Sequence, residues 1–254
     1  MYSAFNPLNY GTCECWLDAR DLDTITKDGG DLVSSWVDKS PNARAFDQGT
    51  GANQPLWEAS GLSSGNASIM FDSTTAVKAL VSTAAASVWS FLQQDHTIFV
   101  ILEVDGGAGV ARQIINTNSG AGSTTIGMRY FISTGNALSV ASTNGGGVAS
   151  TYSNTIGTPT LSTPYLLDSC YEEGKGGDDS SASFRTSGAT TSNTSETIAA
   201  SSSSAPDNTL SIGARPGISQ SAESSISTIL MYSDVLSQAK ITKIRSQLIG
   251  SWNL

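Results

Sequence analysis

Cysteine and histidine are scarce in this chain of 254 residues, which has three cysteines and one histidine. Only one residue separates Cys13 from Cys15, so a disulfide between them would be strained, and Cys170 is far away in sequence. An odd number of cysteines without framework spacing predicts free thiols, as in a protein made in a reducing cytosol. The same residues lack the paired spacing of zinc ligands, so no zinc site is expected.

The single histidine, His96, would have to serve any Ser-His-Asp or Cys-His mechanism. It stands beside Asp95 and directly before a long apolar run. We interpret His96 as a surface residue that begins a strand, and not as a catalytic base.

Positive charge is also in short supply, with 13 Lys and Arg against 22 Asp and Glu and a net charge of −9. An acidic surface repels phosphate groups, and no basic stripe with interleaved aromatic residues is present. Nucleic-acid binding is therefore not expected.

Long apolar runs are absent. No window approaches the roughly 18 apolar residues of a membrane-spanning helix. The first residues lack the basic region and the continuous apolar segment of a signal peptide. We expect no membrane insertion and no export by a cleavable signal.

What the sequence does contain is a series of short strand-like runs bounded by Gly, Ser, Thr and Asn. Residues 97–104 are almost all apolar, which predicts a central strand covered on both faces. Residues 201–204 are four serines, and we interpret them as part of a surface loop within one domain. The predicted strands are residues 67–71, 97–104, 113–116, 127–133, 137–141, 165–170, 181–186, 209–213 and 226–232.

A short amphipathic helix is predicted at the end of the chain, because Ile241, Ile244, Leu248 and Trp252 recur at three- and four-residue steps. Residues 82–92 favour a second short helix. No internal repeat or long linker divides the chain. Together these patterns predict an all-β fold, a two-sheet antiparallel jelly-roll sandwich with a short C-terminal helix, over residues 13–254, preceded by an N-terminal arm of residues 1–12.

Several short segments, taken in order, resemble the laminin G-like, concanavalin A-like jelly-roll family in its stand-alone form, which is common among bacterial surface proteins and phage virion proteins. The likeness spans residues 16–254. Its segments are residues 15–22 (CWLDARDL), 33–43 (VSSWVDKSPNA), 67–72 (ASIMFD), 97–102 (TIFVIL), 211–214 (SIGA) and the closing strand and helix. The family's Trp-x-Asp-x-Ser-x-Asn turn is matched by Trp36, Asp38, Ser40 and Asn42, and its strand-to-helix junction by Tyr232, Leu236 and Ser237.

This resemblance implies two packed antiparallel sheets, adjacent chain ends and a last helix packed on the edge of the sandwich. It implies glycan or protein binding more often than catalysis, and a fold alone does not decide between them.

Candidate catalytic carboxylates do not form a complete set. Related jelly-roll glycosidases carry Glu-x-Asp-x-x-Glu on one strand, which places a nucleophile and an acid about 5 Å apart. Here Glu103 and Asp105 begin the pattern, but position 108 is alanine. Glu172 and Glu173 are adjacent and would face opposite sides of a strand. The sequence therefore predicts a protein that is not an enzyme.

Calcium is the one metal that the sequence leaves open, since oxygen-rich loops bind it. The candidate ligands are Asp178 with Asp179, and Asp18 with Asp21. Acidic pairs on the loops of an acidic protein are usually only solvated, so we expect no cofactor and assign no metal ligands.

Sugar binding needs an exposed aromatic ring on which a pyranose can stack. Trp57, Trp89 and Tyr152 lie in or near loop-like segments and are candidates for such a platform. Trp16, Trp36 and Trp252 instead have the surroundings of packing residues. No sugar site is assigned from this pattern.

The sequence as a whole predicts a virion structural protein of a bacteriophage: a capsid decoration, fibre or tail-associated subunit that displays its jelly roll on the particle. Its expected location is the virion, after synthesis in the host cytoplasm. Its expected partners are other virion proteins, copies of itself and host surface glycans. The alternative is a carbohydrate-binding module for host or cell-surface glycans. A third hypothesis is an unusual glycosidase that depends on Glu103 or Asp105.

Overall fold

The computed structural model describes residues 5–72, 76–106, 111–119, 125–135, 137–144, 152–172, 181–186, 189–194, 204–215 and 222–254. For residues 144, 152–157, 181–186 and 189–194 only the backbone is described. Most strands are short, as the closely spaced turn residues of the sequence require. The strands are β1 (Cys13–Asp18), β2 (Ile25–Lys27), β3 (Val33–Val37), β4 (Ala45–Asp47), β5 (Leu56–Glu58), β6 (Ser68–Phe71), β7 (Leu80–Ser82), β8 (His96–Val104), β9 (Arg112–Asn116), β10 (Ile126–Ile132), β11 (Leu138–Asn144), β12 (Tyr152–Gly157), β13 (Pro164–Tyr171), β14 (Ser181–Thr186), β15 (Ala189–Thr194), β16 (Ser211–Ile212) and β17 (Ser224–Tyr232).

Helical structure is confined to one α-helix and short 3₁₀ segments in the part of the chain described. The α-helix is α1 (Gln238–Trp252), and the 3₁₀ segments are Pro7–Asn9, Leu22–Thr24, Gly51–Asn53 and Ala86–Gln93. The helix predicted over residues 82–92 is thus a 3₁₀ helix that begins later. None of these helices has the length and apolar character needed to cross a membrane.

The strands form two antiparallel sheets that pack face to face, which confirms the predicted two-sheet jelly-roll sandwich. The eight-stranded sheet has the order β15-β14-β13-β8-β17-β6-β5, with β1 also paired to β17. The nine-stranded sheet has the order β12-β11-β10-β9-β16-β7-β4-β3-β2. Consecutive strands pair as a meander in β9-β10-β11-β12. In contrast, β16 and β17 insert between strands that come much earlier in the sequence.

The centre of the eight-stranded sheet is the pair of long strands β8 and β17. Every residue of both strands is buried. β8 pairs with β13 on one side and with β17 on the other, as expected for an almost wholly apolar strand. On its other side β17 pairs with β6 through its first residues and with β1 through its last. Its pairing with β8 has a register shift between Ile226 and Thr228.

Two apolar cores lie on opposite faces of this eight-stranded sheet. Alternate residues of β8, such as Val100 and Leu102, face the nine-stranded sheet and belong to the inner core. Phe99 and Ile101 point the other way and pack beneath α1. The four predicted packing residues of the helix, Ile241, Ile244, Leu248 and Trp252, are its buried residues.

The described part of the N-terminal segment, residues 5–12, lies against α1 and the end of β17. Pro7 is buried, and its carbonyl oxygen accepts a hydrogen bond from the Tyr232 hydroxyl at 3.1 Å. The Tyr10 hydroxyl donates to Gln247 Oε1 of α1 at 2.8 Å. This segment therefore forms part of the layer that covers the outer face of the eight-stranded sheet.

The Trp36–Asn42 turn joins the two sheets through one buried carboxylate. Asp38 Oδ1 accepts hydrogen bonds from the backbone amides of Trp16 and Ser40, both at 2.7 Å. Asp38 Oδ2 accepts one from the Ser40 hydroxyl at 2.6 Å. Since Trp16 is in β1 and the turn follows β3, Asp38 fixes one sheet to the other. The motif residues of this turn thus have a structural role.

Candidate functional site

The predicted catalytic carboxylates Glu103 and Asp105 do not share a cavity. Glu103 is only 4% exposed, and its Oε2 accepts hydrogen bonds from the Ser63 amide and hydroxyl, both at 2.7 Å. Asp105 instead lines a pocket of about 180 Å³ whose other lining residues are Met70, Phe71, Asp72 and Glu223. Position 108 lies outside the described residues.

Burial perturbs the acidity of Asp105 in this pocket. Burial raises the pKa of Asp105 to about 6, while the hydrogen bond from the Ser225 hydroxyl, 2.9 Å from Asp105 Oδ2, acts in the opposite direction. Asp72 and Glu223 also line this pocket, and Glu223 pairs with Arg112. Glu103 is not among the lining residues, so the pocket does not bring together the two carboxylates with which the glycosidase pattern begins.

His96 begins β8, as predicted, but the expectation that it lies on the surface is wrong. The side chain is 3% exposed, and its ring stacks on Tyr171 with the ring centroids 5.4 Å apart. Nδ1 lies 2.9 Å from the Gln94 carbonyl oxygen. Burial lowers the pKa of His96 to about 4, because the charged imidazolium would lose its hydration. A neutral, enclosed imidazole of this kind is a packing group.

The buried imidazole predicts a specific dependence of stability on pH. The pKa of His96 is about 4 in the folded protein against 6.5 for the free side chain, so the unfolded chain binds the extra proton between these values. Burial of neutral His96 therefore does not reduce the free energy of unfolding above pH 6.5. As the pH falls from 6.5 towards 4, the free energy of unfolding decreases by about 3 kcal/mol on account of this residue. Urea denaturation of the wild type and of His96→Gln at pH 7, 6, 5 and 4 measures this effect, since other groups contribute equally to both proteins. Parallel stability curves for the two proteins would contradict it.

The candidate calcium ligands Asp18 and Asp21 are each paired with a basic side chain. Arg20 donates from Nε and Nη2 to the two carboxylate oxygens of Asp18, both at 3.0 Å. Lys39 lies 2.5 Å from Asp21, and its hydrogen bond lowers the pKa of that carboxyl. Among the described residues no group of three or more His, Cys, Asp or Glu side chains is placed to hold a metal ion. Asp178 and Asp179 lie outside the described residues.

The cysteines are free thiols, as predicted, and all three are buried. Burial raises the pKa of Cys13 to about 12 and also raises the pKa values of Cys15 and Cys170. Thiols that stay protonated and enclosed are unreactive.

The tryptophans predicted as sugar platforms are not exposed rings. Trp89 is fully buried, and its Nε1 donates to Thr209 Oγ1 at 3.1 Å. Trp57 is half-buried, donates from Nε1 to the Ala19 carbonyl at 2.9 Å, and has Lys27 Nζ 4.9 Å from its ring centroid. Both predictions are wrong, because each indole closes part of the core. The side chain of Tyr152 lies outside the described side chains.

The other three tryptophans have the packing roles that the sequence predicts. Trp36 and Trp252 are buried, and Trp16 is covered by Lys39, whose Nζ lies 4.3 Å from the ring centroid.

The outer face of the nine-stranded sheet carries a row of polar side chains that no sequence motif marks. Its position follows from the register: Met128, Tyr130 and Ile132 of β10 are in the inner core, so the alternate residues Arg129 and Phe131 point outwards. Residues paired with these two across β9, β11, β16, β7, β4 and β3 share the face. They are Gln113, Asn116, Ser139, Ala141, Ser211, Val81, Asp47 and Ser35.

Hydrogen bonds order this face before any ligand is present. Asn116 Nδ2 donates to Gln113 Oε1 at 3.0 Å, and Asn116 Oδ1 accepts from the Asn118 amide at 2.6 Å. The side chain of Asn118 then donates to Thr143 Oγ1 at 2.6 Å. Gln113, Asn116 and Asn118 are buried, so these amides bond to one another and stiffen the strands beneath the accessible surface.

An aromatic ring holds the arginine of this face. Arg129 Cζ lies 4.3 Å from the ring centroid of Phe131, so the guanidinium is held against the ring. Burial first, and then the charge of Arg215, lowers the pKa of Arg129. Burial also lowers the pKa of Arg215. The sequence predicted the strand over residues 127–133, but not which of its two faces is outward or which distant residues join it.

Comparisons with known proteins support the fold. No family model matches the chain. No curated protein matches it either. An arabinofuranosidase complexed with arabinofuranosyl-α-1,2-xylobiose matches with a TM-score of 0.61 and 10% identity, over 93% of this chain and 62% of that one. The binding domain of botulinum neurotoxin serotype D matches with a TM-score of 0.60 and 10% identity, over 94% of this chain and 52% of that one.

Trypanosoma rangeli sialidase in complex with sialic acid matches with a TM-score of 0.50 and 11% identity, over 90% of this chain and 32% of that one. The chain thus spans less than two thirds of each of these structures. At such low identity the likeness establishes a shared β-sandwich fold alone. Membership of the laminin G-like family stays a prediction.

Proposed function

We propose that this chain is a non-enzymatic carbohydrate-binding module, and that glycans bind on the outer face of the nine-stranded sheet. The observation that carries the proposal is the difference between the two outer faces. The outer face of the eight-stranded sheet is apolar and is covered by α1 and residues 5–12. The accessible part of the outer face of the nine-stranded sheet is polar instead: the side chains of Ser35 and Arg129 are half-buried and that of Asp47 is exposed.

The chemistry of this face suits a sugar. Pyranose hydroxyls both donate and accept hydrogen bonds, and the accessible side chains of this face offer a donor in Arg129, an acceptor in Asp47 and both in Ser35. Two proteins that share the fold are recorded with bound sugars, an arabinofuranosyl-xylobiose and sialic acid, which is consistent with this proposal.

The separation of Glu103 from the pocket of Asp105 favours binding over hydrolysis. The third hypothesis, a glycosidase, would need both carboxylates at one cavity, and Glu103 is instead enclosed beside Ser63.

The buried cysteines allow a direct test of the binding face. Val81 is half-buried in the middle of this face, and a Val81→Cys variant carries the one thiol that a maleimide can modify, because the native thiols are protonated and enclosed. Purified wild type is first screened on a glycan array. Labelling Val81→Cys with a bulky maleimide is then expected to lower binding of the array hits by at least about tenfold, equivalent to about 1.4 kcal/mol.

The matched control is Thr242→Cys, labelled in the same way at an exposed position of α1. This protein should bind its glycans with unchanged affinity. An equal loss of glycan affinity in both labelled proteins would show that the glycans do not bind on this face. An array without hits would overturn the proposal.

A virion role is our second proposal, and the free buried cysteines are the observation that favours it. Such a protein folds in the reducing host cytosol and is then displayed on a particle as a decoration, fibre or tail-associated subunit. Glycan binding would then serve attachment to the host surface. Mass spectrometry of purified particles from cells that make this protein tests the role, and its absence from every particle fraction would contradict it.

A further inference from the structure

The pocket beside Asp105 lies where three paired strands end. Ser224, the first residue of β17, pairs with Phe71 at the end of β6 and with Val104 at the end of β8. The segments that continue from these strand ends therefore meet at one place. They enclose a cavity of about 180 Å³ lined by Met70, Phe71, Asp72, Asp105 and Glu223.

A solute can reach the polar groups of this cavity. Asp105 is exposed, Met70, Asp72 and Glu223 are half-buried, and Phe71 is buried at the base. Three of the four accessible residues are therefore carboxylic acids, and none of the described lining residues is basic. The fourth, Met70, contributes a flexible apolar side chain that adapts to the shape of a ligand. The accessible wall is thus acidic with one apolar part.

Local contacts hold two of the carboxylates side by side. The Asp105 amide donates to the Glu223 carbonyl oxygen at 2.9 Å, and the Ser225 hydroxyl donates to Asp105 Oδ2 at 2.9 Å. Glu223 Oε1 pairs with Arg112, while Glu223 Oε2 lies over Gly106, where an added Cβ would be 2.6 Å from that oxygen. Because the acidic wall is ordered in advance, binding a ligand there costs less entropy.

Two polar groups of the cavity are incompletely solvated. Partial burial raises the pKa of Asp105 to about 6, because its charged form is poorly hydrated. The Ser224 hydroxyl is 0% exposed and has no hydrogen-bond partner among the described residues. Opposite residues of an antiparallel pair share a face, so this hydroxyl points with Phe71 towards the base of the cavity. A cation with N–H donors would supply a countercharge and a hydrogen bond.

The spacing of the acids determines what kind of cation fits. Over the described ranges, no three side chains of His, Cys, Asp or Glu converge closely enough to hold a metal ion. Carboxylates that line one cavity without converging suit a larger cation that reaches several of them. An ammonium group has three N–H donors, and an alkyl chain behind it can lie against Met70.

We propose that this cavity binds a primary alkylammonium group, as at the end of a lysine side chain of a partner polypeptide. The ammonium group donates to the carboxylates of Asp105, Glu223 and Asp72, and its methylene chain contacts Met70. None of the lining residues belongs to the nine-stranded sheet, so this site is independent of the proposed glycan face.

NMR of the methionine methyl groups tests the proposal. Titration of ¹³C-methyl-methionine protein with n-butylammonium chloride at pH 7.5 and low ionic strength should shift the Met70 methyl signal saturably. Met128 and Met231 lie in the inner core, so their signals should not move. n-Butanol has the same chain length without the charge and should bind at least about tenfold more weakly. Calcium chloride should give no saturable shift.

Further ligands define the group that is recognised. Nα-acetyl-lysine amide carries the alkylammonium group of a lysine side chain and should bind within about threefold of n-butylammonium. Glucosamine carries its ammonium group on a polar ring, which Met70 does not complement, and should bind more weakly.

Variants assign the binding to the cavity. Asp105→Asn keeps an acceptor for the Ser225 hydroxyl but removes the charge, and it should weaken n-butylammonium binding by at least about fivefold. Asp72→Asn should act in the same direction. Asp23→Asn removes an exposed carboxylate elsewhere and should leave the affinity unchanged. Circular dichroism confirms that each variant is folded.

The outcomes separate the site from the proposed function, because no glycan-array result enters them. An unchanged Met70 signal, or equal affinities for n-butylammonium and n-butanol, overturns the proposal. A saturable shift with calcium overturns the assignment to an organic cation, and glucosamine bound as tightly as n-butylammonium overturns the assignment to an alkyl chain. A loss in Asp23→Asn equal to that in Asp105→Asn shows general attraction to an acidic protein and also overturns the site.

Discussion

Replacement of Trp252 by alanine is expected to lower the free energy of unfolding by about 4 kcal/mol. The indole is 1% exposed and is the last buried anchor of α1 on the eight-stranded sheet. Its Nε1 donates to Ser227 Oγ at 2.9 Å, and the guanidinium carbon of Arg20 lies 3.3 Å from its ring centroid. Truncation leaves a large cavity and an uncovered arginine, while the Ser227 hydroxyl keeps its hydrogen bond to the Ala67 carbonyl oxygen at 2.6 Å. Urea denaturation at pH 7, followed by circular dichroism, measures the loss.

Two further variants define the cause of this effect. Trp252→Phe keeps most of the apolar contact but removes the N–H donor, so it should cost about 1–2 kcal/mol. Lys240→Ala, on the exposed side of the same helix, should change stability by less than about 0.5 kcal/mol. A loss below about 1 kcal/mol for Trp252→Ala would contradict the packing of α1 on the sheet.

Asp38→Ala should be nearly as damaging, with an expected loss of about 3 kcal/mol. The carboxylate is 2% exposed and accepts hydrogen bonds from Trp16 in β1 and from Ser40 in the turn after β3. Removing it leaves the Trp16 and Ser40 amides without their acceptor at the joint between the sheets, and the Ser40 hydroxyl with only the Glu14 carbonyl oxygen at 3.3 Å. Each hydrogen bond to a charged acceptor contributes about 1.5–3 kcal/mol, although the three are coupled and do not add fully.

The charge and the hydrogen-bonding capacity of Asp38 can be separated. Asp38→Asn keeps one acceptor oxygen and should show about half of the loss. Asp47→Ala removes an exposed carboxylate that accepts a hydrogen bond from Ser35 at 2.6 Å, and it should cost less than about 1 kcal/mol. If urea titrations gave equal losses of unfolding free energy for Asp38→Ala and Asp47→Ala, Asp38 would not be the residue that fixes one sheet to the other.

Local periodicity was sufficient where one face of an element is apolar along its whole length. The spacing of Ile241, Ile244, Leu248 and Trp252 places all four in the core beneath α1. The apolar run of β8 likewise predicts its central position. The three-residue strands β2, β4, β5 and β7 were not predicted, because three residues are too few to display an alternation.

The binding face could not be predicted because it is assembled by pairing between distant strands. Asn116 meets Ser211, and Ser211 meets Val81, only because β16 inserts between β9 and β7. The roles of Trp57 and Trp89 were mistaken for a related reason. Each lies near turn residues in sequence, but the fold turns its indole towards a partner in another element, Ala19 or Thr209.

Gly213 shows the same dependence on distant contacts. In the sequence it is one residue of a predicted strand, yet its φ is +85° and an added Cβ would lie 1.9 Å from Cδ1 of the buried Phe71. A side chain at this position would be strained by the backbone and would collide with the core. Neither constraint can be read from residues adjacent to Gly213.

The central place of β17 has a consequence for how the chain becomes folded during synthesis. Its partner strands β1, β6 and β8 all emerge from the ribosome more than a hundred residues earlier, and they remain without their common neighbour until residues 224–232 follow. Such non-local pairing makes folding slow and leaves strand edges open to other chains in the meantime. Completion of the eight-stranded sheet by β17 is therefore the step that closes these edges and ends their exposure to aggregation.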